Sequence, residues 1–380
     1  MASPLLDTIR FGRGWLRPPP SVRTRELRVR PDDDTSPVPA TLMEAGDALP
    51  APGWVVLHGL TRPGRHHPSL VRFGRAVAST GSRVLIPEIP EWVELDFAPE
   101  RAQAVIRGAV ERLVADPDTR GKSVTLVGFS FGAPQALLAA SDPSFSRNLR
   151  AVVGWGGFAD LTRTSYFQLT GEHEWEGRTY HQPPDPYGRW IVGANCLPLL
   201  TETRDAKAVA QALRALAVEA GDRQIDARDA SLDGLKRQLR MGLPQRARSL
   251  FDLFAPPTHR NPDPEEARRM VERIVPAVKQ AMPLMDPLRM IEGIRVPVRL
   301  LHSRSDHLIP FTETLRTAHA LDRRAPLLEA NVTGLFQHSG RPEGGSIVAR
   351  ARALVGFAGA LKGIFEATRP EARRPDPTRS

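Results

Sequence analysis

The feature that most constrains the fold of this chain is a series of short apolar segments separated by stretches with helical periodicity. A short apolar run bounded by turn residues is typical of a buried strand. When such strands alternate with helices, they pair in parallel and the helices cover both faces of the sheet. The predicted strands are residues 54–57, 83–86, 124–127, 151–153, 298–301 and 326–332, and the clearest predicted helices around them are 100–115, 311–321 and 347–361. We therefore predict an α/β fold with a mostly parallel sheet flanked by helices.

Two further patterns lie outside this alternation. Residues 25–30 alternate in polarity, and residues 40–44 follow a turn-rich stretch, so we predict an edge strand with an antiparallel partner. Between Thr162 and Met290 the alternation stops, and we expect only helices there. The predicted helices are 204–220, 232–241 and 264–275, the last opened by Asp263 as N-cap and Pro264 in the first turn. We interpret this block as a helical cap inserted between two strands of the sheet.

These patterns divide the chain into five parts. They are an N-terminal amphipathic or docking segment (1–22), the first part of the core (23–161), the cap (162–290), the second part of the core (291–368) and a disordered, proline-rich tail (369–380). Residues 1–22 could lie on a membrane surface, but Gly12 and Gly14 weaken such a helix. We therefore expect this segment to dock on the body of the protein.

The net charge of +9 suggests nucleic-acid binding, but the distribution of the charge argues against it. Five of the 52 basic residues are lysines and 47 are arginines, and they are scattered among 43 acidic residues. A nucleic-acid surface would need clustered basic residues beside stacking aromatics, and the chain has only three tyrosines. We predict no nucleic-acid partner.

Cysteine content and the N-terminal sequence indicate the compartment. Cys196 is the single cysteine, which excludes an intrachain disulfide and fits a reducing environment. Charged residues interrupt the N-terminal apolar residues, unlike a secretory signal, and no apolar run is long enough to span a bilayer. We expect a cytoplasmic protein. No metal-binding or dinucleotide-binding motif is present, so we predict no metal and no cofactor.

The most specific motif is the sequence Gly128-Phe129-Ser130-Phe131-Gly132, which directly follows the apolar strand at 124–127 and precedes a helical stretch. A sharp strand-to-helix turn strains the backbone of its central residue and crowds the residues around it, so small residues are needed at 128 and 132. Such a turn raises the Ser130 hydroxyl above the sheet at the start of a helix. This motif resembles the nucleophile elbow of the α/β-hydrolase superfamily, in particular cap-bearing serine hydrolases such as carboxylesterases, monoacylglycerol lipases and serine aminopeptidases.

The resemblance implies the remaining site residues. The superfamily order of nucleophile, acid and histidine matches Ser130, Asp306 just beyond the strand at 298–301, and His338 ahead of the last helix. Asp160, after the strand at 151–153, is the reserve acid. The oxyanion donors would be the main-chain N–H groups of Phe131 and Leu60, the second of which follows the segment His58-Gly59.

The implied activity is hydrolysis of a small-molecule carboxylic ester through a Ser-His-Asp triad and an acyl-enzyme, without a cofactor. Acyl transfer or peptide hydrolysis on the same fold is the first alternative. A peptidase would need acidic groups to bind a substrate amine, for which Glu172, Glu174 and Glu176 are candidates. A hydrolase-fold binding protein without catalysis is the second alternative. Acyl chain, leaving group and oligomeric state stay open at this point.

Overall fold

A computed structural model describes residues 3–17, 21–33, 35–45, 50–322, 328–333 and 347–368. Within them lie ten strands: β1 (Val22–Val29), β2 (Val38–Ala45), β3 (Gly53–Leu57), β4 (Arg83–Pro87), β5 (Val124–Phe129), β6 (Leu149–Trp155), β7 (Glu172–Trp175), β8 (Arg178–His181), β9 (Val298–Ser303) and β10 (Leu328–Thr333). Eight of these strands form one sheet in the order β1-β2-β4-β3-β5-β6-β9-β10. Only the β1–β2 and β2–β4 pairs are antiparallel. The predicted mostly parallel sheet, including its antiparallel edge, is confirmed.

Helices cover both faces of this sheet, and further helices lie between β6 and β9 along the chain. They are α1 (Pro4–Leu16), α2 (Pro68–Ala78), α3 (Pro90–Val93), α4 (Pro99–Val114), α5 (Gly132–Ser141), α6 (Pro143–Ser146), α7 (Leu161–Thr170), α8 (Pro186–Cys196), α9 (Ala206–Asp222), α10 (Asp233–Gly242), α11 (Arg248–Phe254), α12 (Pro264–Ala281), α13 (Phe311–Asp322) and α14 (Ile347–Ala367). None of the helices in the described part of the chain has the length and apolarity that crossing a membrane requires.

Alternate residues of the central strands point into two separate cores, as the pleat of a strand requires. On β3, Val55 and Leu57 belong to the core that also contains residues of α4 and α5. Trp54 and Val56 belong to the second core, which contains residues of α1, α2 and α14. The sheet is therefore buried on both sides, which explains why its strands are continuous apolar runs in the sequence.

The parallel strands end at the same edge of the sheet. The register pairs Leu57 with Gly128 and Phe129 with Trp155, and it pairs Ser303 with Thr333. The loops that follow β3, β5, β6 and β9 therefore emerge side by side. Ligands of open α/β sheets bind at this carboxyl edge.

Residues 161–294, between β6 and β9, contain helices α7 to α12 and a β-hairpin formed by β7 and β8. The expectation of helices alone in this region was wrong. The turn of the hairpin contains Glu176 and Gly177, both with positive φ, which is the geometry of a tight hairpin turn. The predicted helices at 204–220, 232–241 and 264–275 correspond to α9, α10 and α12, and the Asp263 side chain accepts from the Glu266 N–H as an N-cap. The predicted tail at 369–380 lies outside the described residues.

Candidate active site

The turn between β5 and α5 holds Ser130 in a strained backbone conformation. β5 ends at Phe129 and α5 begins at Gly132, so two residues make the turn. The φ angle of Ser130 is 51°, in the left-handed region that residues other than glycine rarely adopt. Its N–H donates to the main-chain oxygen of Trp155 at 2.7 Å, and its carbonyl accepts from the Ala133 N–H at 3.0 Å. The two hydrogen bonds fix this turn between strand and helix.

Glycines are required on both sides of Ser130 by the closeness of the surrounding backbone. A Cβ atom on Gly128 would lie 2.1 Å from the main-chain oxygen of Gly132. A Cβ atom on Gly132 would lie 2.7 Å from the main-chain oxygen of His58. A larger residue at either position would push the main chain apart, as expected for the crowded turn of a nucleophile elbow.

The loop after β3 passes directly beside the Ser130 side chain. A Cβ atom on Gly59 would lie 3.1 Å from the Cβ of Ser130 and 3.5 Å from its Oγ. Leu60 is the next residue of this loop. Among the described residues, no protein acceptor takes a hydrogen bond from the main-chain N–H of Leu60 or of Phe131. Both of these main-chain donors lie on the segments nearest Ser130.

An aromatic cluster fixes the position of Phe131. Its ring is 5% exposed and stacks on the Phe97 ring at 5.2 Å between centroids. The rings of Trp92 and Phe158 lie 5.3 Å and 5.8 Å away. Because the side chain of Phe131 is held on several sides, the start of α5 has little freedom to move relative to the sheet.

His58 shapes the loop after β3. Its Nδ1 donates to the main-chain oxygen of Gly59 at 2.7 Å, and its Nε2 accepts from the Ile89 N–H at 3.1 Å. A carbonyl only accepts and an N–H only donates, so this pair of contacts requires the neutral imidazole. Burial lowers the pKa of His58 to about 4. Both ring nitrogens are occupied, which makes His58 part of the loop's framework and not a proton acceptor for Ser130.

Asp306 lies on the loop that follows β9, at the same edge of the sheet. Its side chain is 1% exposed. Oδ1 accepts from the main-chain N–H groups of Leu308 at 2.9 Å and Ile309 at 3.0 Å. Oδ2 lies 3.4 Å from Nε2 of His302. Hydrogen bonds from N–H groups stabilise the ionised carboxylate and fix its orientation.

His302 is a supporting residue that the sequence did not single out. It is fully buried near the end of β9. Its Nε2 donates to the main-chain oxygen of Ile309 at 2.9 Å, and its Nδ1 accepts from the Thr314 hydroxyl at 2.7 Å. His302 therefore joins β9, the loop that carries Asp306 and helix α13 in one buried network.

His338, the predicted base, lies outside the described residues. β10 ends at Thr333 and α14 begins at Ile347, so position 338 falls between these two elements along the chain. The main-chain oxygen of Thr333 accepts from the Arg304 N–H at 2.7 Å. The end of β10 is thus tied to the loop that carries Asp306.

The segment between β6 and β9 contacts the Asp306 loop. Nε2 of Gln182 donates to the main-chain oxygen of Asp306 at 3.0 Å. The Asp185 N–H donates to the main-chain oxygen of His307, and Nδ1 of His307 donates to the main-chain oxygen of Pro183, each at 2.7 Å. These bonds hold the stretch 182–185 against the acid-bearing loop.

The same segment also contacts the loop after β3, on the other side of Ser130. Nε of Arg62 binds Asp222, at the end of α9, at 2.7 Å, and Nη1 binds Glu94 at 2.8 Å. A Cβ atom on Gly221 would lie 2.6 Å from Cγ of Arg62. Arg62 and Asp222 are 160 residues apart in the sequence, so no local pattern could have predicted their contact.

The reserve acid Asp160 has a local structural role. Its Oδ1 accepts from the Thr162 N–H at 2.7 Å and caps α7, and its Oδ2 binds Arg163 at 2.8 Å. The main-chain N–H groups of Ala159 and Asp160 both donate to Oε2 of Glu313, at 3.0 Å and 2.9 Å. Glu313 is 1% exposed, and burial raises its pKa to about 7. No pattern in the sequence indicated this buried carboxyl group.

The three acidic residues considered for amine binding lie on the hairpin of β7 and β8. Glu172 accepts from the Tyr166 hydroxyl at 2.8 Å, and the main-chain oxygen of Glu174 accepts from Arg316. Glu176 lies in the turn. The hairpin packs against α13. Glu172 thus helps to hold the hairpin through its carboxylate, and Glu174 does so through its main chain.

The arrangement can support nucleophilic chemistry at Ser130. A strained serine, a hydrogen-bonded carboxylate and the main-chain N–H groups of Leu60 and Phe131 lie on neighbouring loops at one edge of the sheet. Cys196, the only thiol, is fully buried, and burial raises its pKa to about 12. A thiol in that state is a poor nucleophile.

Comparisons with known proteins give matches at the level of structure. The chain resembles an acylaminoacyl peptidase from Pyrococcus horikoshii with a TM-score of 0.51 and 14% identity, covering 94% of this chain and 43% of the peptidase. It also matches the esterase Pf2001 from Pyrococcus furiosus (TM-score 0.44, 13% identity, 91% of this chain and 90% of the esterase). A third match is Est1E from Butyrivibrio proteoclasticus (TM-score 0.45, 12% identity, 90% of this chain and 98% of Est1E).

This chain spans less than half the length of the peptidase. No protein-family model and no curated protein matches the sequence. This chain forms a mostly parallel eight-stranded sheet flanked by helices, and this architecture together with the peptidase match establishes the fold. The chain has the α/β-hydrolase fold.

Proposed function

We propose that this protein is a serine hydrolase that cleaves a small-molecule carboxylic ester through an acyl-enzyme on Ser130. The observation that carries the proposal is the positive φ of Ser130 at a two-residue turn between strand and helix, with the loop after β3 against its side chain. Folding alone does not require a strained serine there, since glycine would adopt the same backbone without cost.

In the proposed reaction, His338 takes the proton of the Ser130 hydroxyl while Oγ attacks the carbonyl carbon of the ester. The imidazolium then gives this proton to the departing alcohol as the ester C–O bond breaks. Water attacks the acyl-enzyme with His338 again as the base, which releases the carboxylic acid and restores Ser130. These steps require no metal ion and no cofactor.

The main-chain N–H groups of Leu60 and Phe131 are the proposed oxyanion donors. Negative charge develops on the carbonyl oxygen as Ser130 attacks, and fixed donors stabilise it at no cost of reorganisation. The rigidity that the aromatic cluster gives to Phe131, and that His58 gives to the loop after β3, supports this assignment.

Asp306 is the proposed partner of His338. His338 follows Thr333 by five residues, and an extended chain of that length reaches about 17 Å. The end of β10 is bonded to Arg304, two residues before Asp306, so the distance to be spanned is short. The two hydrogen bonds to Oδ1 favour the ionised carboxylate, which is the form that stabilises an imidazolium.

The segment 162–290 is the proposed cap. Its contacts with the loop after β3 and with the Asp306 loop support a position over the site, and an enclosed site favours a compact organic substrate. Esters are preferred over peptides, because the Glu172 carboxylate, one of the acidic groups a peptidase would need, already accepts from the Tyr166 hydroxyl. Amide hydrolysis and acyl transfer are therefore outcomes that the experiment has to separate.

The test is hydrolysis of a chain-length series of nitrophenyl esters alongside the matching nitroanilides. We expect ester turnover by the wild type and a loss of at least about a thousandfold in Ser130→Ala and His338→Ala. Ser69→Ala and His259→Ala are matched controls, because both side chains are exposed on the surface, and both should keep full activity.

Faster cleavage of the anilides, with the same dependence on Ser130, would replace the esterase proposal with the peptidase. Ester turnover that survives in Ser130→Ala would show that another group does the chemistry. A folded wild type without turnover of any substrate would favour the non-catalytic binding protein.

A further inference from the structure

The exposed apolar residues of this protein are concentrated on two helices. Eight large hydrophobic side chains are exposed in the described part of the chain, and six of them lie on α1 and α14. These are Leu5, Leu6, Ile9 and Leu16 on α1 and Leu354 and Val355 on α14, with exposed fractions from 39% to 74%. α1 and α14 pack against each other. Scattered apolar residues need no explanation, but a concentration of this kind marks an interaction surface.

The inner face of α1 attaches the helix to the body of the protein. Phe11 is 2% exposed and packs edge-on against Phe73 at 5.7 Å. Nε of Arg72 donates to the main-chain oxygen of Trp15 at 2.6 Å, and the Ser79 hydroxyl donates to that of Arg10 at 3.2 Å. These contacts fix α1 through its inner face, so its outer apolar residues are not needed to hold it.

The outer face of α1 combines apolar and positively charged residues. At 100° per residue, its four exposed apolar residues lie within an arc of roughly 140° together with the exposed Arg10 and Arg13. Arg17, also exposed, follows the helix as its C-cap. The one acidic residue of the helix, Asp7, is 17% exposed and lies on the inner side, with its Oδ1 4.0 Å from Nη1 of Arg10. The sequence of α14 contains Arg350, Arg352 and Lys362 and one acidic residue, Glu366, which binds Lys362 at 3.3 Å.

We propose that the outer faces of α1 and α14 bind an anionic lipid surface. A rigidly mounted helix with leucine and isoleucine beside arginines has the composition of helices that lie in the headgroup region of a membrane. The arginines would be attracted by anionic headgroups while the apolar side chains enter the acyl boundary. This inference is independent of the chemistry proposed for Ser130.

A second copy of this chain fits the same surface less well. A two-fold contact between copies would bring identical surfaces together, and here each would present the same positive charges to the other. The charge of the surface therefore favours an anionic partner over self-association.

The test is co-sedimentation of the full chain with vesicles of phosphatidylcholine alone and of equal parts phosphatidylcholine and phosphatidylglycerol. We expect binding to the anionic vesicles at least about tenfold tighter than to the neutral ones. An apolar variant (Leu5→Asn, Ile9→Asn and Leu16→Asn) and a charge variant (Arg10→Gln, Arg13→Gln and Arg17→Gln) should each lose about tenfold or more of this affinity. Met241→Asn removes an apolar residue that is 71% exposed on a different helix and should bind like the wild type.

All three substituted chains should unfold at the wild-type temperature, because the altered side chains are exposed. Failure of the wild type to sediment with anionic vesicles would overturn the proposal, as would equal binding by the apolar variant. A dimer of the wild type in light scattering that the apolar variant converts to a monomer would assign the surface to self-association instead.

Discussion

Ser130 combines a reactive side chain with a backbone conformation that costs free energy. Its φ of 51° lies where a Cβ atom meets the following carbonyl oxygen, a cost of about 1–2 kcal/mol for an L-residue. The hydrogen bond to Trp155 and the close packing of Gly132 against His58 hold it there. The surrounding structure thus enforces a conformation that Ser130 would not adopt by itself.

This strain predicts the relative stabilities of two substitutions. The free energy of unfolding of Ser130→Gly should exceed that of Ser130→Ala by about 1 kcal/mol, because only glycine adopts positive φ without steric cost. Denaturant unfolding of both variants measures the difference. If the alanine variant is as stable as the glycine variant, the backbone at Ser130 is not strained.

Glu313 predicts a pH dependence of stability. Burial raises its folded-state pKa to about 7, above the ordinary value of 4.5, so between these values the folded state binds more protons than the unfolded state. This contribution to stability is fully present below pH 4.5 and is lost as the pH rises through 7. Glu313→Gln should remove this loss and raise the free energy of unfolding at pH 8 by about 1–3 kcal/mol relative to the wild type.

The measurement is denaturant unfolding of both proteins at pH 5 and pH 8. If stability changes equally with pH in the wild type and in Glu313→Gln, the pKa of Glu313 is not raised in the folded protein.

At the scale of elements, the loop after β3 is held between the sheet and the end of α9. Gly221 allows α9 to approach Arg62, and Asp222 binds the Arg62 guanidinium. Arg62 follows Leu60 by two residues, so the position of this loop, and of a proposed oxyanion donor, depends on the inserted segment.

Gly221→Ala should lower the rate of acylation of Ser130 by roughly tenfold, because the added methyl group would lie 2.6 Å from Cγ of Arg62 and displace the loop. Global stability should change by less than about 1 kcal/mol, since alanine favours a helix. Stopped-flow measurement of the ester burst gives the rate. Gly234→Ala is the matched control, because its methyl group would meet nothing within 4 Å. Equal acylation rates for Gly221→Ala and Gly234→Ala would show that α9 does not control the position of the loop after β3.

The elements that could be predicted from the sequence are those whose own residues determine them. The central strands of the sheet are apolar runs, and α12 has an N-cap and a first-turn proline. The hairpin of β7 and β8 was missed because Glu172–Trp175 carries no apolar alternation, and its packing against α13 stabilises it. α8 contains two glycines, so its propensity is weak, and burial of residues such as Trp190 stabilises it instead.

At the scale of the whole molecule, the sheet brings together loops that are far apart in the sequence. The elbow and the strand-end position of Asp306 could be predicted because each is encoded within a few residues. The contributions of Arg62, Gln182 and His302 could not, since each depends on a contact with a distant loop or helix.

The central claim is that Ser130 is an activated nucleophile, and labelling with a fluorophosphonate probe tests it most directly. The wild type should be labelled, with the adduct mapped by mass spectrometry to Ser130, and labelling should be abolished in Ser130→Ala and His338→Ala while Ser69→Ala is labelled like the wild type. A folded wild type that stays unlabelled by both a bulky and a small probe, or an adduct on a residue other than Ser130, would contradict the claim.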